Sequence, residues 1–243
     1  SRSPFYYIKD NIQSITFGEN VDTIPYRMCW EMYNLKSVSL PDNLKCIEYD
    51  AFSACRSLDA IAIPNGVTYI GNYAFNECYS LPSITLPDSL QTIEQYAFRL
   101  CTLLTSITIP EKIAILSDRA FQDSGLDTII WTPKNYDTGG YSPFYYIKDH
   151  IKSVIFTDNV EAIPWNMCWE MYNLQSVEIP NSVDTIRPYA FKDCRSLLSI
   201  NIPKTVKHID GGAFYGCSAL TSIELPKGIR SMGDEMFYNC TVL

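Results

Sequence analysis

One period governs the chain. An apolar residue opens a unit at Ile12, Leu35, Leu58, Leu81, Leu104, Leu126, Ile151, Leu174, Leu197 and Leu220, so the spacing is 23 residues except for 22 before Leu126 and 25 after it. A repeat of 20 to 29 residues with L-x-x-I-x-I spacing is the mark of a leucine-rich solenoid, because each unit is too small to bury its apolar face alone and must stack on its neighbours.

Ser57 to Ser80, "SLDAIAIPNGVTYIGNYAFNECYS", is a representative unit. Leu58, Ile61 and Ile63 fall where a short strand turns them into a core, while Ala60 and Ala62 alternate outward. Pro64 ends the strand, having no N–H to donate to a neighbouring rung, and Pro41, Pro87, Pro110, Pro180, Pro203 and Pro226 stand at the same place. The second half carries Val67 and Ile70. After them, Asn72 is placed to cap a turn or two of helix, with Ala74 and Cys78 four apart and Phe75 as the largest core filler.

A longer repeat is laid over the short one. The stretch from Ser3, "SPFYYIKDNIQSITF", returns from Ser142 as "SPFYYIKDHIKSVIF", an offset of 139. Before the second copy the pattern breaks into "TPKNYDTGGY", a loop composition. The expected organisation is one continuous solenoid over 1–243, made of two related blocks, 1–125 and 140–243, joined by an irregular segment, 126–150. The expected fold class is an α/β solenoid: a right-handed array of about ten 23-residue units, with short parallel strands on the concave face and short strand, 3₁₀ or helical segments opposite.

The rungs "LTSITIPEKI", "LPSITLPDSLQTIEQYAFRLC" and "LTSIELPKGI", with A-F-x-x-C closing each unit, resemble the BspA-like leucine-rich repeats, also called the Treponema pallidum type. The interrupted stretch from "WTPKN" to "IPWNMC" resembles a variant block of such proteins in gut and oral Bacteroidetes. The resemblance implies an exported bacterial protein, extracellular or on the cell surface, related to adhesins that bind host extracellular-matrix proteins or other bacterial surface proteins. It assigns no binding residue, because the motif positions are structural.

Charge and motifs exclude other classes. Nineteen basic against 27 acidic residues leave a net charge of −8, and no basic run is available to neutralise phosphates, so nucleic acid is not an expected partner. No run of eighteen apolar residues occurs and "SRSPFYYIKD" lacks the apolar segment of a signal peptide, so membrane insertion is not expected. The chain starts and stops within its repeat and reads as a fragment. No nucleophile, base and orienter converge, and neither His150 nor His208 has a partner histidine within reach; no enzyme, cofactor or metal site is expected.

Of nine cysteines, Cys55, Cys78 and Cys101 are 23 apart, as are Cys194, Cys217 and Cys240, which marks a ladder of small buried thiols; Cys46 stands off it as the candidate reactive or unpaired surface thiol, its place beside Ile47 being equally consistent with burial. Cys29 and Cys168 take the Phe place of their units, and Met32 and Met171 the Cys place.

Two features point to recognition. The outward strand places form columns of small, mostly hydroxyl side chains, as strand packing alone requires; binding on this face would lie where the second column varies, at Ile130, Ile155 and Glu178. Aromatic residues crowd the irregular segment at Trp131, Tyr136, Tyr141, Phe144, Tyr145 and Tyr146. Such rings anchor a protein partner or stack on a sugar, and equally they seal an exposed core. The expected function is non-enzymatic protein binding or adhesion; the alternatives are carbohydrate binding through the aromatic insertion, and a spacer for a functional region elsewhere.

Overall fold

The computed structural model describes residues 3–243. It divides into two compact units, Ser1–Leu126 and Asp127–Leu243. Both are stacks of parallel-strand solenoid turns with a repeat of about 23 residues, about ten turns in all.

The first unit holds β1 (Ser14–Thr16), β2 (Thr23–Ile24), β3 (Ser37–Ser39), β4 (Cys46–Ile47), β5 (Ala60–Ile61), β6 (Tyr69–Ile70), β7 (Thr92–Ile93), β8 (Ser106–Ile109) and β9 (Ile115–Leu116). Within it β1, β3 and β5 pair in parallel, and β2, β4, β6, β7 and β9 form a second parallel sheet in that order. The second unit holds β10 (Thr128–Trp131), β11 (Ser153–Phe156), β12 (Ala162–Ile163), β13 (Ser176–Glu178), β14 (Thr185–Ile186), β15 (Ser199–Ile200), β16 (His208–Ile209), β17 (Ser222–Ile223) and β18 (Ser231–Met232). There β10, β11 and β13 pair in order, β15 pairs with β17, and β12, β14, β16 and β18 form the other sheet.

Most rungs thus have two strands, those opening at Leu81 and Leu126 having one each, and the 23-residue period sets the register: Ser14 faces Ser37 and Ser37 faces Ala60, while Thr23, Cys46, Tyr69, Thr92 and Ile115 face one another in succession. The inward residues, such as Leu58, Ile61, Ile63, Val67 and Ile70, are buried. Each contributes about 1.5–3 kcal/mol by leaving water. After the first strand the proline carbonyl accepts a turn bond three residues on, as in Val67 N–H to Pro64 O at 3.1 Å and Val206 N–H to Pro203 O at 3.1 Å.

Of the short strand, 3₁₀ or helical segments expected opposite the first strands, short strands form and the helical half that the α/β label implies does not. The helical segments among the described residues are two single 3₁₀ turns, Lys9–Asn11 and Tyr145–Ile147. The reason lies in where the amides of "NYAFNEC" go. Tyr73, Phe75 and Glu77 donate to the carbonyls of Gln95, Ala97 and Arg99 in the next rung, at 3.1, 2.7 and 2.9 Å. The alternate amides of Ala74, Asn76 and Cys78 close turns onto Gly71, Tyr73 and Phe75. With half the donors committed between rungs, no i to i−4 ladder can run. Tyr73 and Glu77 accordingly sit at φ 56° and 59°, a conformation costing an ordinary residue about 1–2 kcal/mol. Gly212 and Gly216 occupy the same two places in a later rung, at φ 63° and 71°, without that cost.

The core is laid out in ladders. Phe52, Phe75, Phe98 and Phe121 stack at centroid distances of 5.4, 5.3 and 5.4 Å, and Phe191, Phe214 and Phe237 at 5.4 and 5.6 Å. Beside them the cysteines are free thiols. Each ladder thiol donates to the carbonyl at the Phe place one rung back: Cys55 to Cys29, Cys78 to Phe52, Cys101 to Phe75, Cys194 to Cys168, Cys217 to Phe191 and Cys240 to Phe214, at 3.1–3.4 Å. A disulfide would need convergent side chains, whereas stacked rungs point them alike. In the first rung of each block the two sizes are exchanged: Cys29 with Met32, and Cys168 with Met171, all fully buried, so the volume of a Phe and a Cys is restored by a small and a long side chain.

Candidate functional site

The strand face is the first candidate surface. Its outward residues are exposed or half-buried in every rung. In the second unit Ile130 faces Ile155 across β10 and β11, and Ile155 faces Glu178 across β11 and β13. The two isoleucines are half-buried and Glu178 is exposed. In the second unit this column therefore runs Ile130, Ile155, Glu178, Asn201 and Glu224, an aliphatic pair followed by acids and an amide, where the first unit has mostly hydroxyls; Ser153 and Ser176 are bonded to each other at 3.0 Å in the column alongside. In the first unit Ala60 and Ala62, one in each outward column, leave a shallow depression of about 340 Å³ between Ser37, Ser83 and Thr85.

The aromatic segment is the second. Its backbone is fixed by side-chain bonds to the following rung. Ser142 Oγ donates to the Met167 carbonyl at 2.8 Å and accepts the Phe144 amide at 3.1 Å. Thr138 donates to the Trp165 carbonyl, Asn166 to that of Gly140 and Asn173 to that of Asp149, at 2.8, 2.6 and 2.6 Å. Gly139 and Gly140 make the reversal at φ 62° and 95°. The same clip appears where the motif first occurs: Ser3 Oγ donates to the Met28 carbonyl at 2.7 Å and Asn34 to that of Asp10 at 2.7 Å.

This anchoring divides the six aromatics. Trp131 and Phe144 are fully buried and meet edge to face at 6.1 Å, and half-buried Tyr136 packs on Trp131 at 5.2 Å. These three are turned toward the core. Tyr141 is 62% exposed and Tyr146 is 38% exposed. Half-buried Tyr145 lies between, 6.5 Å from Tyr141 and 5.4 Å from Tyr146.

Sequence reasoning missed the residue that organises this outer cluster. Trp169 lies 6.2 Å from Tyr141 and 5.9 Å from Tyr145, with the Lys192 ammonium 5.7 Å from its ring centre. The Lys148 ammonium lies 4.2 Å from the Tyr145 ring and 5.6 Å from that of Tyr172, and is paired with Glu170. Lys9 repeats this with Tyr6, Trp30, Tyr33 and Glu31. The recurrence of "CWEMYNL" from Cys29 and Cys168 was the available signal.

Cys46 stands on the second strand column, half-buried between Thr23 and Tyr69. Its thiol donates to Glu48 Oε1 at 3.5 Å, and burial, with Glu48 nearby, pushes it up to about 12. It is a protonated thiol at neutral pH and a poor nucleophile. His150 is exposed, and His208 Nδ1 lies 2.7 Å from Ser231 Oγ. Among the described residues no group of three His, Cys, Asp or Glu side chains could hold a metal, and no helix is long and apolar enough to cross a membrane.

Comparison with known proteins agrees with this geometry. No curated protein matches the chain. Among solved structures, a leucine-rich repeat protein of T. pallidum is 21% identical with a TM-score of 0.51, the match covering 81% of each chain. One from Eubacterium ventriosum ATCC 27560 is 21% identical with a TM-score of 0.50, over 97% of this chain and 85% of that one. One from Bacteroides ovatus ATCC 8483 is 24% identical with a TM-score of 0.47, over 95% and 77%. The model of the BspA type leucine rich repeat region matches residues 23–149 and 140–243, with six copies. With stacked strands, phenylalanines and thiols recurring at that period, the chain belongs to the BspA-type leucine-rich repeat proteins.

Proposed function

We propose that this chain is a non-enzymatic protein-interaction module that works at the bacterial cell surface and engages its partner through the strand face of its second unit. The observation that carries the reading is the registered set Ile130, Ile155 and Glu178. A partner gains little from a uniform column of serine and threonine hydroxyls, whereas two aliphatic side chains beside an exposed carboxylate supply apolar area and a charge to select by. Membership of a repeat family whose stacked units offer extended surfaces supports the same reading. The surface location comes from the family resemblance alone. Its test is labelling of intact cells of the source organism with a membrane-impermeant reagent.

Tyr141, Tyr145 and Tyr146 provide a second contact region, and the 62% exposure of Tyr141 favours a sugar ring or an apolar side chain stacking there. The deciding experiment is binding to a panel of immobilised extracellular-matrix proteins and bacterial surface proteins. On the strand-face reading, Glu178→Lys and Ile155→Asp weaken binding at least about tenfold, as expected of central contact residues, while Tyr141→Ala leaves it within about twofold. The reverse ranking moves the contact to the aromatic region. Absence of binding across the panel, with the fold intact by circular dichroism, overturns the interaction role and leaves the spacer.

A further inference from the structure

The irregular segment does a second thing that its aromatic content obscures. Lys134 reaches Glu161 in an ion pair of 2.8 Å, and next to that pair Asn135 forms one wall of a groove of about 580 Å³ running over β12, β14 and the approach to β16. The groove exists because Ala162 stands at an outward place that β14 and β16 fill with Thr185 and His208. Ala162 is the one apolar side chain lining it. The volume is that of a small-ligand site.

The chemistry of the walls narrows the ligand. Glu161 is neutralised by Lys134, and Asp184 accepts the Thr185 hydroxyl at 2.8 Å. Arg187 and Lys207 also line the groove, and among the described residues neither side chain has an ion-pair or hydrogen-bond partner; the same holds for the amides of Asn135 and Asn181. Two uncommitted cations against one carboxylate make a locally positive niche on a chain of net charge −8. A guanidinium and an ammonium suit a carboxylate, and free amides with Ser and Thr oxygens suit ring hydroxyls. A protein side chain inserting here would find no apolar or aromatic surface to pack on, which a protein hot spot requires.

We propose that this groove binds a carboxylated sugar, with Arg187 and Lys207 holding the carboxylate and Asn135 and Asn181 the hydroxyls. The site is on the second strand column and is independent of the protein-binding face described above. It is tested by NMR titration of the full chain with N-acetylneuraminic acid and with glucuronic acid, using galactose and acetate as controls. Saturable binding of at least one sugar acid is expected, with neither control binding comparably. Arg187→Gln should raise its dissociation constant about tenfold or more, the cost of losing a charge-assisted contact. Ala162→Tyr, which fills the groove and keeps both cations, should abolish it, and Tyr141→Ala should change nothing. Comparable binding of acetate would reveal a bare anion site and overturn the sugar assignment. Absence of saturable binding by either sugar acid, or binding unchanged in both Arg187→Gln and Ala162→Tyr, overturns the site itself. Loss on Tyr141→Ala would return sugar binding to the aromatic segment.

Discussion

Phe98→Ala should remove about 3–5 kcal/mol of stability, read as a lowered midpoint of urea unfolding at constant slope. Phe98 is fully buried and ringed on both sides, by Phe75 at 5.3 Å and 4° and by Phe121 at 5.4 Å and 10°. Removing it opens a cavity between two rings that the rung spacing holds apart, since each rung is pinned to the next by backbone bonds such as Phe98 N–H to Ala120 O at 2.8 Å. The gap cannot close without breaking those bonds, which places the cost at the upper end of the large-to-small range. Phe237 is the internal control. It is half-buried and stacks on Phe214 alone, at 5.6 Å. Phe237→Ala should therefore cost clearly less. Equal losses would mean that the ladder is not what holds neighbouring rungs together. A double-mutant cycle of Phe75→Leu with Phe98→Leu should also show about 0.5–1.5 kcal/mol of coupling, the share that belongs to ring on ring.

The reach of sequence reasoning follows from which interactions are local. Leu58, Ile61 and Ile63 were legible as an inward strand face because alternation and the 23-residue recurrence said the same thing, and the buried pattern agrees. The second strand was legible only as one of three options, short strand, 3₁₀ or helix, because Tyr69–Ile70 is two residues long and leaves no alternation to see. The helix expected after Asn72 failed for a related reason. Ala74 and Cys78 are four apart in a helix, but equally in two successive turns reversed at Tyr73 and Glu77, and only the bonds to Gln95, Ala97 and Arg99 decide between them. Those bonds exist only once rungs are stacked. The cysteine ladder was visible as a spacing, whereas its use, a thiol closing a carbonyl 26 residues back, required the stack. Within the candidate surfaces, Trp131 continues the inward alternation of Ile129 and is buried with it, while Tyr141 lies in a loop with no periodicity, so its exposure could not be read in advance. The groove at Ala162 was hidden most deeply, since it joins a gap in one column to a residue of the irregular segment.

The buried ladder thiols, with Cys29 and Cys168 at the Phe place, should make the protein alkali-labile. Burial raises the thiols of Cys29 and Cys101 to about 12, raises Cys55, Cys78 and Cys194 well above the ordinary value, and raises Cys168 likewise. In the unfolded chain each returns to about 8.5. The folded state therefore holds these protons more tightly. The stability they contribute is fully present below about pH 8.5 and is lost as pH rises toward the folded values, at about 1.4 kcal/mol per thiol per pH unit. Four of the six, Cys29, Cys55, Cys78 and Cys101, lie in the unit Ser1–Leu126. By pH 10 Cys29 and Cys101 have each cost about 2 kcal/mol, and Cys55 and Cys78, shifted in the same direction, add to that loss, against a total stability of about 5–15 kcal/mol for an ordinary domain. The urea midpoint, followed by circular dichroism with reductant present, should stay level to about pH 8.5 and collapse by about pH 10. Tyr49 and Tyr69, raised chiefly by burial, add to the loss only above their ordinary value near 10. Replacing Cys55 and Cys78 by Ala separates the two sources. The double variant starts less stable, because two buried carbonyls lose their thiol donors. Its decline between pH 8.5 and 10 should nevertheless be clearly shallower, because two of the protons that the folded state holds more tightly are gone. A midpoint level to pH 11, or a decline as steep in the double variant as in the parent, would show that thiol ionisation does not limit the fold.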